Sequence, residues 1–217
     1  MNSAVIVAGG TGIRLGQDLP KQFHNLCGKE ILSFSVETFL NHSNIQEIII
    51  VTHEDWIDHV KKIYPQCISV TGGKRRQDSS LKGVLATNIN SENVLIHDAA
   101  RPFVTTKIID DCLCALKNSD ASAPIMDSTN SLIEFKKDQI SSMNRRNIKS
   151  VQTPQCFKRN LILDVLKSSI EGTDEISMLL KFDHSKKIKL VDGNINNIKI
   201  TTKTDLNVAT SILKGLN

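Results

Sequence analysis

A chain of 217 residues can bury a sizeable core within one domain, and 40% hydrophobic with 23% charged residues is the composition of an ordinary globular protein. Lys and Arg outnumber Asp and Glu by 27 to 23; a balance of only +4 with 4% aromatic residues argues against a base-stacking nucleic-acid surface and suits small anionic substrates. No run reaches the ~18 apolar residues of a membrane span. There is no secretory signal pattern, and the odd set Cys27, Cys67, Cys112, Cys114 and Cys156 fits no zinc spacing, so buried free thiols and a cytoplasmic location are expected.

The chain opens on a short β-branched run, Ala4-Val5-Ile6-Val7-Ala8, closed by Gly9-Gly10-Thr11-Gly12-Ile13-Arg14. A run of this kind ending in clustered glycines predicts a buried strand and a tight turn, where successive free N–H groups make a concave anion site. Arg14 and Lys21 add permanent cations just beyond it, the latter within Pro20-Lys21-Gln22-Phe23. The dinucleotide fingerprint fits Gly10 and Gly12 but meets Leu15 at its third glycine. The P-loop pattern fails as well, because Gly73-Lys74 is followed by Arg75 and Ile68 stands where its first glycine belongs. What remains is a Gly-Gly-x-Gly-x-Arg turn with Pro-Lys-Gln downstream: either an ordinary glycine turn followed by surface cations or, as Arg14 and Lys21 at short spacing favour, a triphosphate-holding loop at the carboxyl end of a first strand.

Downstream, residues 29–40 read as a helix with a broad apolar face, 47–52 as a strand buried on both faces, and 54–63 as a helix. Residues 67–70 form a short predicted strand ending in Gly72-Gly73, followed by a helix over 77–86 carrying Leu81, Val84 and Leu85. Val94-Leu95-Ile96-His97-Asp98 is again a buried strand, 106–116 an amphipathic helix and 121–126 a strand. Strands alternating with helices predict a mostly parallel sheet in three layers, with ligands held outside the carboxyl ends of the strands. The loops 9–21, 72–79 and 98–101 then meet at one end of the sheet, each carrying Gly, Arg, Lys or Asp.

The pattern changes at 127–146. Leu132-Ile133-Glu134-Phe135 and Gln139-Ile140-Ser141-Ser142-Met143 flank a turn at Lys136-Lys137-Asp138, which reads as a β-hairpin outside the alternation. An isolated hairpin is marginal in water, so it is expected to pack on something: a second subunit is the favoured support, and its own domain the alternative. A helix over 159–168, another opening at Thr173-Asp174-Glu175 with acid in its first turn, strands over 186–191 and 198–201, and a helix over 203–213 complete the chain. With no repeat or linker, 1–217 reads as a single domain bearing an arm at 127–150.

Asp98 stands at the end of a strand beside the phosphate loop, where a carboxylate can hold Mg²⁺ together with phosphate oxygens. His97 beside it reads equally as a base or as a structural histidine. Arg101 follows at once, Arg145 and Arg146 come after the hairpin, and Lys199 interrupts an apolar strand near its end, where a solvated-face reading fits poorly.

Together these stretches carry a resemblance. Ala8-Gly9-Gly10-Thr11-Gly12-Ile13-Arg14, Pro20-Lys21-Gln22-Phe23, Gly72-Gly73 with Arg76 and Asp78-Ser79, His97-Asp98-Ala99-Ala100-Arg101-Pro102, Gln152-Thr153-Pro154-Gln155, Thr173-Asp174-Glu175 and Asn197-Ile198-Lys199-Ile200-Thr201 occur in family order over essentially the whole chain. The sequence resembles the polyol-phosphate cytidylyltransferases, the family of 2-C-methyl-D-erythritol 4-phosphate cytidylyltransferase and its ribitol-5-phosphate relatives. The resemblance implies an α/β, three-layer, Rossmann-like nucleotidyltransferase fold, and a homodimer whose hairpin arms exchange between subunits. It implies that Ala8, Gly9, Gly10, Gly12, Gly73, Arg76 and Ser79 bind the nucleotide, that Arg14, Lys21 and Lys199 are catalytic, and that Asp98 holds Mg²⁺. It also implies that Arg101 and Thr153, with Ser128 and Arg145 from a partner's arm, bind the phosphate of the second substrate.

The implied reaction is attack of a substrate phosphate oxygen on the α-phosphorus of CTP, with pyrophosphate leaving. Both reactants are anionic and the nucleophile is already ionised, so clamps of Lys, Arg and Mg²⁺ meet the chemical need and a strong base does not. The erythritol branch has Asp-Thr-x-Lys where this chain has Asp127-Ser128-Thr129-Asn130, which keeps a hydroxyl and loses a cation. Ala99-Ala100 and Thr173-Asp174-Glu175 side with the erythritol branch, and the Gly9 position, the Trp56 stretch and Pro20-Lys21-Gln22-Phe23 with the ribitol branch. Methylerythritol phosphate, for isoprenoid precursors, is the favoured acceptor, and ribitol 5-phosphate, giving CDP-ribitol for a surface polymer, is the alternative. A dinucleotide-dependent oxidoreductase is disfavoured by the missing third glycine, and a non-catalytic nucleotide sensor by the retained Arg14, Lys21, Asp98 and Lys199.

Overall fold

The first β-branched run lies at the centre of the molecule. In the computed structural model, which describes residues 1–10 and 19–216, it forms β1 (Asn2–Ala8). A 3₁₀ turn at Lys21–Phe23, the two-stranded ribbon β2 (Asn25–Leu26) and β3 (Lys29–Glu30), and helix α1 (Ile31–Leu40) follow. Next come β4 (Glu47–Thr52), a 3₁₀ turn at Glu54–Trp56 leading into α2 (Ile57–Ile63), β5 (Ile68–Thr71), α3 (Arg76–Ala86), β6 (Asn93–Asp98), α4 (Thr106–Leu116) and β7 (Ala121–Asp127). The remainder contains β8 (Leu132–Lys136), β9 (Gln139–Met143), β10 (Lys149–Val151), β11 (Gln155–Lys158), α5 (Arg159–Lys167), α6 (Glu175–Phe182), β12 (Ile188–Asp192) and α7 (Lys203–Leu216).

The main sheet has the order β10-β7-β11-β6-β1-β4-β5, with β12 added on β7. β1 lies between β4 and β6, parallel to both, and β5 continues parallel on β4. Val7 stands opposite Val51 on one side and Asp98 on the other, so these strands end level and their loops emerge side by side. β11 inserts antiparallel between β6 and β7, and β10 runs antiparallel to β7. Alternation along β1 divides the core. Ala4, Ile6 and Ala8 face Leu32, Val36 and Phe39 of α1 and Ile108 and Cys112 of α4. Val5 faces the other layer, with Val84 of α3, Ile162 and Val165 of α5 and Leu179 of α6. The three-layer α/β expectation holds.

Several local expectations are revised. Lys29 and Glu30 pair in the β2–β3 ribbon instead of opening a helix, and the helix predicted over 54–63 is divided between a 3₁₀ turn and α2. Residues 198–201 are extended but join no ladder; Ile200 N donates to the Ala100 carbonyl at 2.8 Å. β10 and β11 escape the pattern because each is short and Pro154 interrupts the stretch between them. Cys112 and Cys156 are buried and Cys67 half-buried, but Cys27 and Cys114 are exposed. Cys27 occupies the turn between β2 and β3, with φ of 52° followed by Gly28 at 94°, and Cys114, two residues from Cys112, falls on the outer side of α4.

The arm is a free-standing ribbon in which β8 and β9 pair only with each other. Its two-residue tip, Lys137 and Asp138, has φ of 45° and 64°, the positive pair that a type I′ turn needs. Ile133, Phe135 and Ile140 on this ribbon are 63%, 65% and 68% exposed.

Candidate active site

β1 delivers Ala8, Gly9 and Gly10 to the end of the sheet. Gln22, buried in the 3₁₀ turn that follows, donates its side-chain amide to the carbonyls of Ala8 at 2.5 Å and Gly10 at 3.0 Å, tying the start of the glycine stretch to the Lys21 segment. Phe23 anchors that segment by stacking on Trp56 with centroids 4.4 Å apart. Gly12 and Arg14 lie outside the described residues.

The second loop meets the first through Ser79. Gly73 N donates to Ser79 Oγ at 3.0 Å, and Ser79 Oγ donates to the Arg75 carbonyl at 3.3 Å. A Cβ on Gly73 would run into Cβ of Asp78, so only glycine lets this turn close on the start of α3. Asp78 in turn caps α3 by accepting from Arg75 N at 3.0 Å.

Asp98, at the end of β6, gathers the cations. Arg76 Nε and one terminal nitrogen both reach Asp98 Oδ1 at 3.1 Å, Lys199 Nζ lies 2.7 Å from Oδ2, and Arg101 Nε is 3.9 Å from Oδ2. Burial alone would raise the Asp98 pKa, but Arg76, Lys199 and Arg101 outweigh it and hold the carboxyl well below the usual range. Burial pulls the Arg76 guanidinium down, yet Glu175 and Asp98 more than compensate and raise it above its ordinary value. Burial lowers that of Arg101, with Asp98 opposing.

These contacts bear on Mg²⁺. An ionised carboxylate offers about four lone-pair positions. Arg76 takes two on Oδ1 and Lys199 one on Oδ2, which leaves Oδ2 room for a further ligand. Among the described residues no three His, Cys, Asp or Glu side chains gather into a metal cage. Asp98 therefore fits an ion brought in on phosphate oxygens, the usual habit of Mg²⁺, and does not fit an all-protein site.

Behind Asp98 lies a sealed polar chain. Asp98 N donates to Thr153 Oγ1 at 3.1 Å, and that hydroxyl lies 3.0 Å from His97 Nδ1. The Arg101 carbonyl, 3.1 Å from Nε2, can only accept, so Nε2 carries the proton of the neutral ring and Nδ1 accepts from the Thr153 hydroxyl. Burial pushes the fully buried His97 down to about 4, so it is neutral near pH 7. Of the two sequence readings of His97, the structural one stands; both ring nitrogens are spent on the turn from Asp98 to Arg101. Arg101 donates to the Asn197 carbonyl at 2.7 Å, while its Nε is buried with no hydrogen-bond partner. Asn197 donates to Gln152 Oε1 at 3.2 Å and the Thr153 carbonyl at 3.0 Å, which fixes the extended segment that carries Lys199.

One cavity of about 310 Å³ is lined by Ala8, Gly9, Gly10, Lys21, Gly73, Arg76, Ser79, Asp98 and Lys199, so segments far apart in sequence do converge. Arg101 and Thr153 sit in the shell behind it. Ser128 and Arg145 do not join it within one chain. Ser128 donates to the Asn130 carbonyl at 3.2 Å and Arg145 to that of Thr129 at 2.8 Å, and both line a separate hollow of about 510 Å³ with Arg146 and with Lys149, the ion-pair partner of Asp127. Sequence reasoning missed Gln22, Asn197 and Glu175 as site-builders. Glu175 lies in a stretch that carries the family resemblance but reads there as a first-turn acid with no role in the site, and its complete burial sets it apart.

Comparison with known proteins agrees with this architecture. The family described as IspD: 2-C-methyl-D-erythritol 4-phosphate cytidylyltransferase matches residues 2–215. The 2-C-methyl-D-erythritol 4-phosphate cytidylyltransferase of Clostridium novyi (strain NT) is 39% identical over 231 aligned residues, covering 99% of this chain and 97% of that protein. Its namesake from Clostridium botulinum (strain Okra / Type B1) is 40% identical over 226, with 99% and 98% covered. Among solved structures, 4-diphosphocytidyl-2C-methyl-D-erythritol synthase from Anaerococcus prevotii DSM 20548 superposes with a TM-score of 0.89 at 30% identity, covering 98% of this chain and 96% of that one. The bifunctional IspDF from Campylobacter jejuni gives 0.83 at 25% identity over 95% of this chain and 53% of its own. Agreement of sequence and fold over the full length makes the chain a cytidylyltransferase, a member of the 2-C-methyl-D-erythritol 4-phosphate cytidylyltransferase family.

Proposed function

We propose that this protein transfers CMP from CTP to the phosphate of 2-C-methyl-D-erythritol 4-phosphate with the aid of Mg²⁺, releasing pyrophosphate and forming 4-diphosphocytidyl-2-C-methyl-D-erythritol for isoprenoid precursor synthesis in the cytoplasm. The observation that supports it is the pair Arg76 and Lys199 on one ionised carboxylate, Asp98, in a cavity that Lys21 also lines, at the level ends of β1 and β6. Two anionic reactants must approach each other, and preorganised cations in a half-closed site offset their repulsion without reorganising during the reaction. An attacking phosphate oxygen needs no base, which accords with the neutral, sealed His97.

In this reading the backbone of Ala8, Gly9 and Gly10, continued by Gly12, cradles CTP with Gly73 and Ser79. Arg14, Lys21 and Lys199 act on the triphosphate, and Asp98 would hold Mg²⁺. When bound, that ion supplies neutralisation of the triphosphate oxygens. The Arg101 guanidinium, beside Asp98, supplies positive charge for the acceptor's phosphate, with Thr153 behind it. Ser128 and Arg145 would complete that half of the site from a second copy, assembled through the exposed ribbon carrying Ile133, Phe135 and Ile140.

The test is to offer purified protein Mg²⁺, CTP and either 2-C-methyl-D-erythritol 4-phosphate or ribitol 5-phosphate, and to measure pyrophosphate. Release with the methylerythritol phosphate is expected. No release with either acceptor would sink the transfer reading, and release with ribitol phosphate alone would overturn the acceptor.

A further inference from the structure

Arg76 is shared between two carboxylates. Its Nε and one terminal nitrogen serve a single oxygen of Asp98, both at 3.1 Å, and its other terminal nitrogen reaches Glu175 Oε1 at 2.5 Å. An isolated Arg–Asp pair prefers the parallel fork, one nitrogen to each carboxylate oxygen. That arrangement would occupy Asp98 Oδ2, the oxygen held here by Lys199 at 2.7 Å.

Glu175 is an expensive residue to keep. It is fully buried; Oε1 accepts from Arg76 and from Ser80 Oγ at 2.6 Å, while Oε2 is buried with no hydrogen-bond partner. A half-satisfied buried carboxylate is a poor way to hold a core together. Its placement is nevertheless tightly defined. Ile176 N donates to Gln155 Oε1 at 2.9 Å, Gln155 donates to Asp174 Oδ2 at 3.0 Å, and Ser177 N donates to Asp174 Oδ1 at 2.7 Å. Gln155 lies on β11 opposite Ile96 of β6, so the start of α6 is registered to the strand that ends in Asp98.

The geometry points to Glu175 as a positioning residue for CMP transfer: it draws one arm of Arg76 aside, confines the rest to Asp98 Oδ1, and so reserves Oδ2 for Lys199. It acts through Arg76 and touches neither substrate. Without the Glu175 charge, Arg76 can close its fork on both Asp98 oxygens, and Lys199, which aims into the cavity, must then share Oδ2 with a guanidinium nitrogen that repels it. On this account Arg76 serves the nucleotide by holding Asp98, which departs from the direct nucleotide contact that the family resemblance implies. The inference rests on the transfer reading above.

Wild-type turnover with CTP and 2-C-methyl-D-erythritol 4-phosphate is measured first; its absence would sink that reading and this inference with it. Then kcat, both KM values, the equilibrium Kd for CTP and the urea midpoint are compared for Glu175→Gln, Arg76→Lys and the double variant. Glutamine keeps the size and an acceptor but not the charge, and lysine cannot bridge two carboxylates. Each single variant is expected to lower kcat by about 10- to 100-fold, the scale of an ångström-level misplacement. KM for the acceptor and Kd for CTP should stay within about threefold, and the double variant within about threefold of the worse single, because the two residues act as one unit. A folded Glu175→Gln protein with wild-type kcat, or losses that multiply in the double variant, would overturn the role. Should Glu175→Gln fail to fold, Arg76→Lys decides alone: a fall in kcat with CTP affinity kept supports the role, and a loss confined to CTP affinity overturns it in favour of direct nucleotide contact.

Discussion

His97 illustrates how one side chain sets the shape of this site without taking part in its chemistry. Its ring fixes the Asp98–Arg101 turn from both nitrogens and carries no charge near pH 7. Burial moves its pKa from 6.5 to about 4, a depressed value for a base. Between these limits the unfolded chain holds a proton there that the folded chain does not. The contribution of neutral His97 is therefore complete above the upper limit and is lost as pH falls toward the lower one. The stability gap between wild type and His97→Gln, from urea midpoints, should close by up to about 1.4 kcal/mol per pH unit over that window. A gap that stays constant with pH would refute the neutral, buried form. At this scale the sequence is legible where residue type conflicts with its surroundings. Lys199 within Ile198-Lys199-Ile200 and Asp98 at the end of the strand Val94-Leu95-Ile96-His97 both stand out that way. Glu175 has no such contrast, since an acid after Thr173-Asp174 suits any helix start, and its burial comes from β11 and α3, which are distant in sequence.

α3 shows how an element can be read correctly and its packing incorrectly. The apolar pattern over 77–86 points to Leu81, Val84 and Leu85, yet the buried residues are Ser79, Ser80, Gly83 and Val84, and Leu85 is 52% exposed. Small side chains let this helix lie close against the sheet, where a Cβ on Gly83 would collide with side-chain methyls of Val5 and Val51. Close approach also brings Ser79 and Arg76 to the cavity. Gly83→Ala should therefore destabilise the fold by about 1–3 kcal/mol, as overpacking does, despite the better helix propensity of alanine. Urea unfolding checks this, and an unchanged or raised midpoint would show that the helix has slack. The extended 198–201 segment teaches a related lesson. Its alternation of Ile and Lys has the period of a strand, but its position is held by Arg101, Gln152 and the Thr153 carbonyl through Asn197, and by Ala100, instead of by a strand ladder.

For the molecule as a whole, the alternation of strands and helices was enough to foresee three layers and the meeting of the three loops. The antiparallel β11 was not foreseeable, because a four-residue strand after Pro154 carries too little periodicity. The arm, in contrast, announces itself by leaving the pattern. Its separation from the Lys199 cavity within one chain makes a prediction about assembly. If the arm completes a neighbour's site, Arg101→Ala and Arg145→Ala chains should each be nearly inactive alone. Remixed after reversible dissociation, they should regain about a quarter of wild-type activity, since half of the twofold dimers then hold one intact site of two. No recovery in verified mixed dimers would mean that each arm serves its own chain.

The sealed histidine also decides what the enzyme's pH–rate curve will report. With His97 titrating only near pH 4 and Asp98 held lower still, neither group can produce an inflection close to neutrality. The acid limb of kcat/KM for the acceptor is left to the acceptor, whose phosphate loses its second proton near about pH 6. A phosphonate analogue with a higher second pKa should carry that limb upward with it, so the curve would follow the chemistry of the substrate while the protein stays electrically silent.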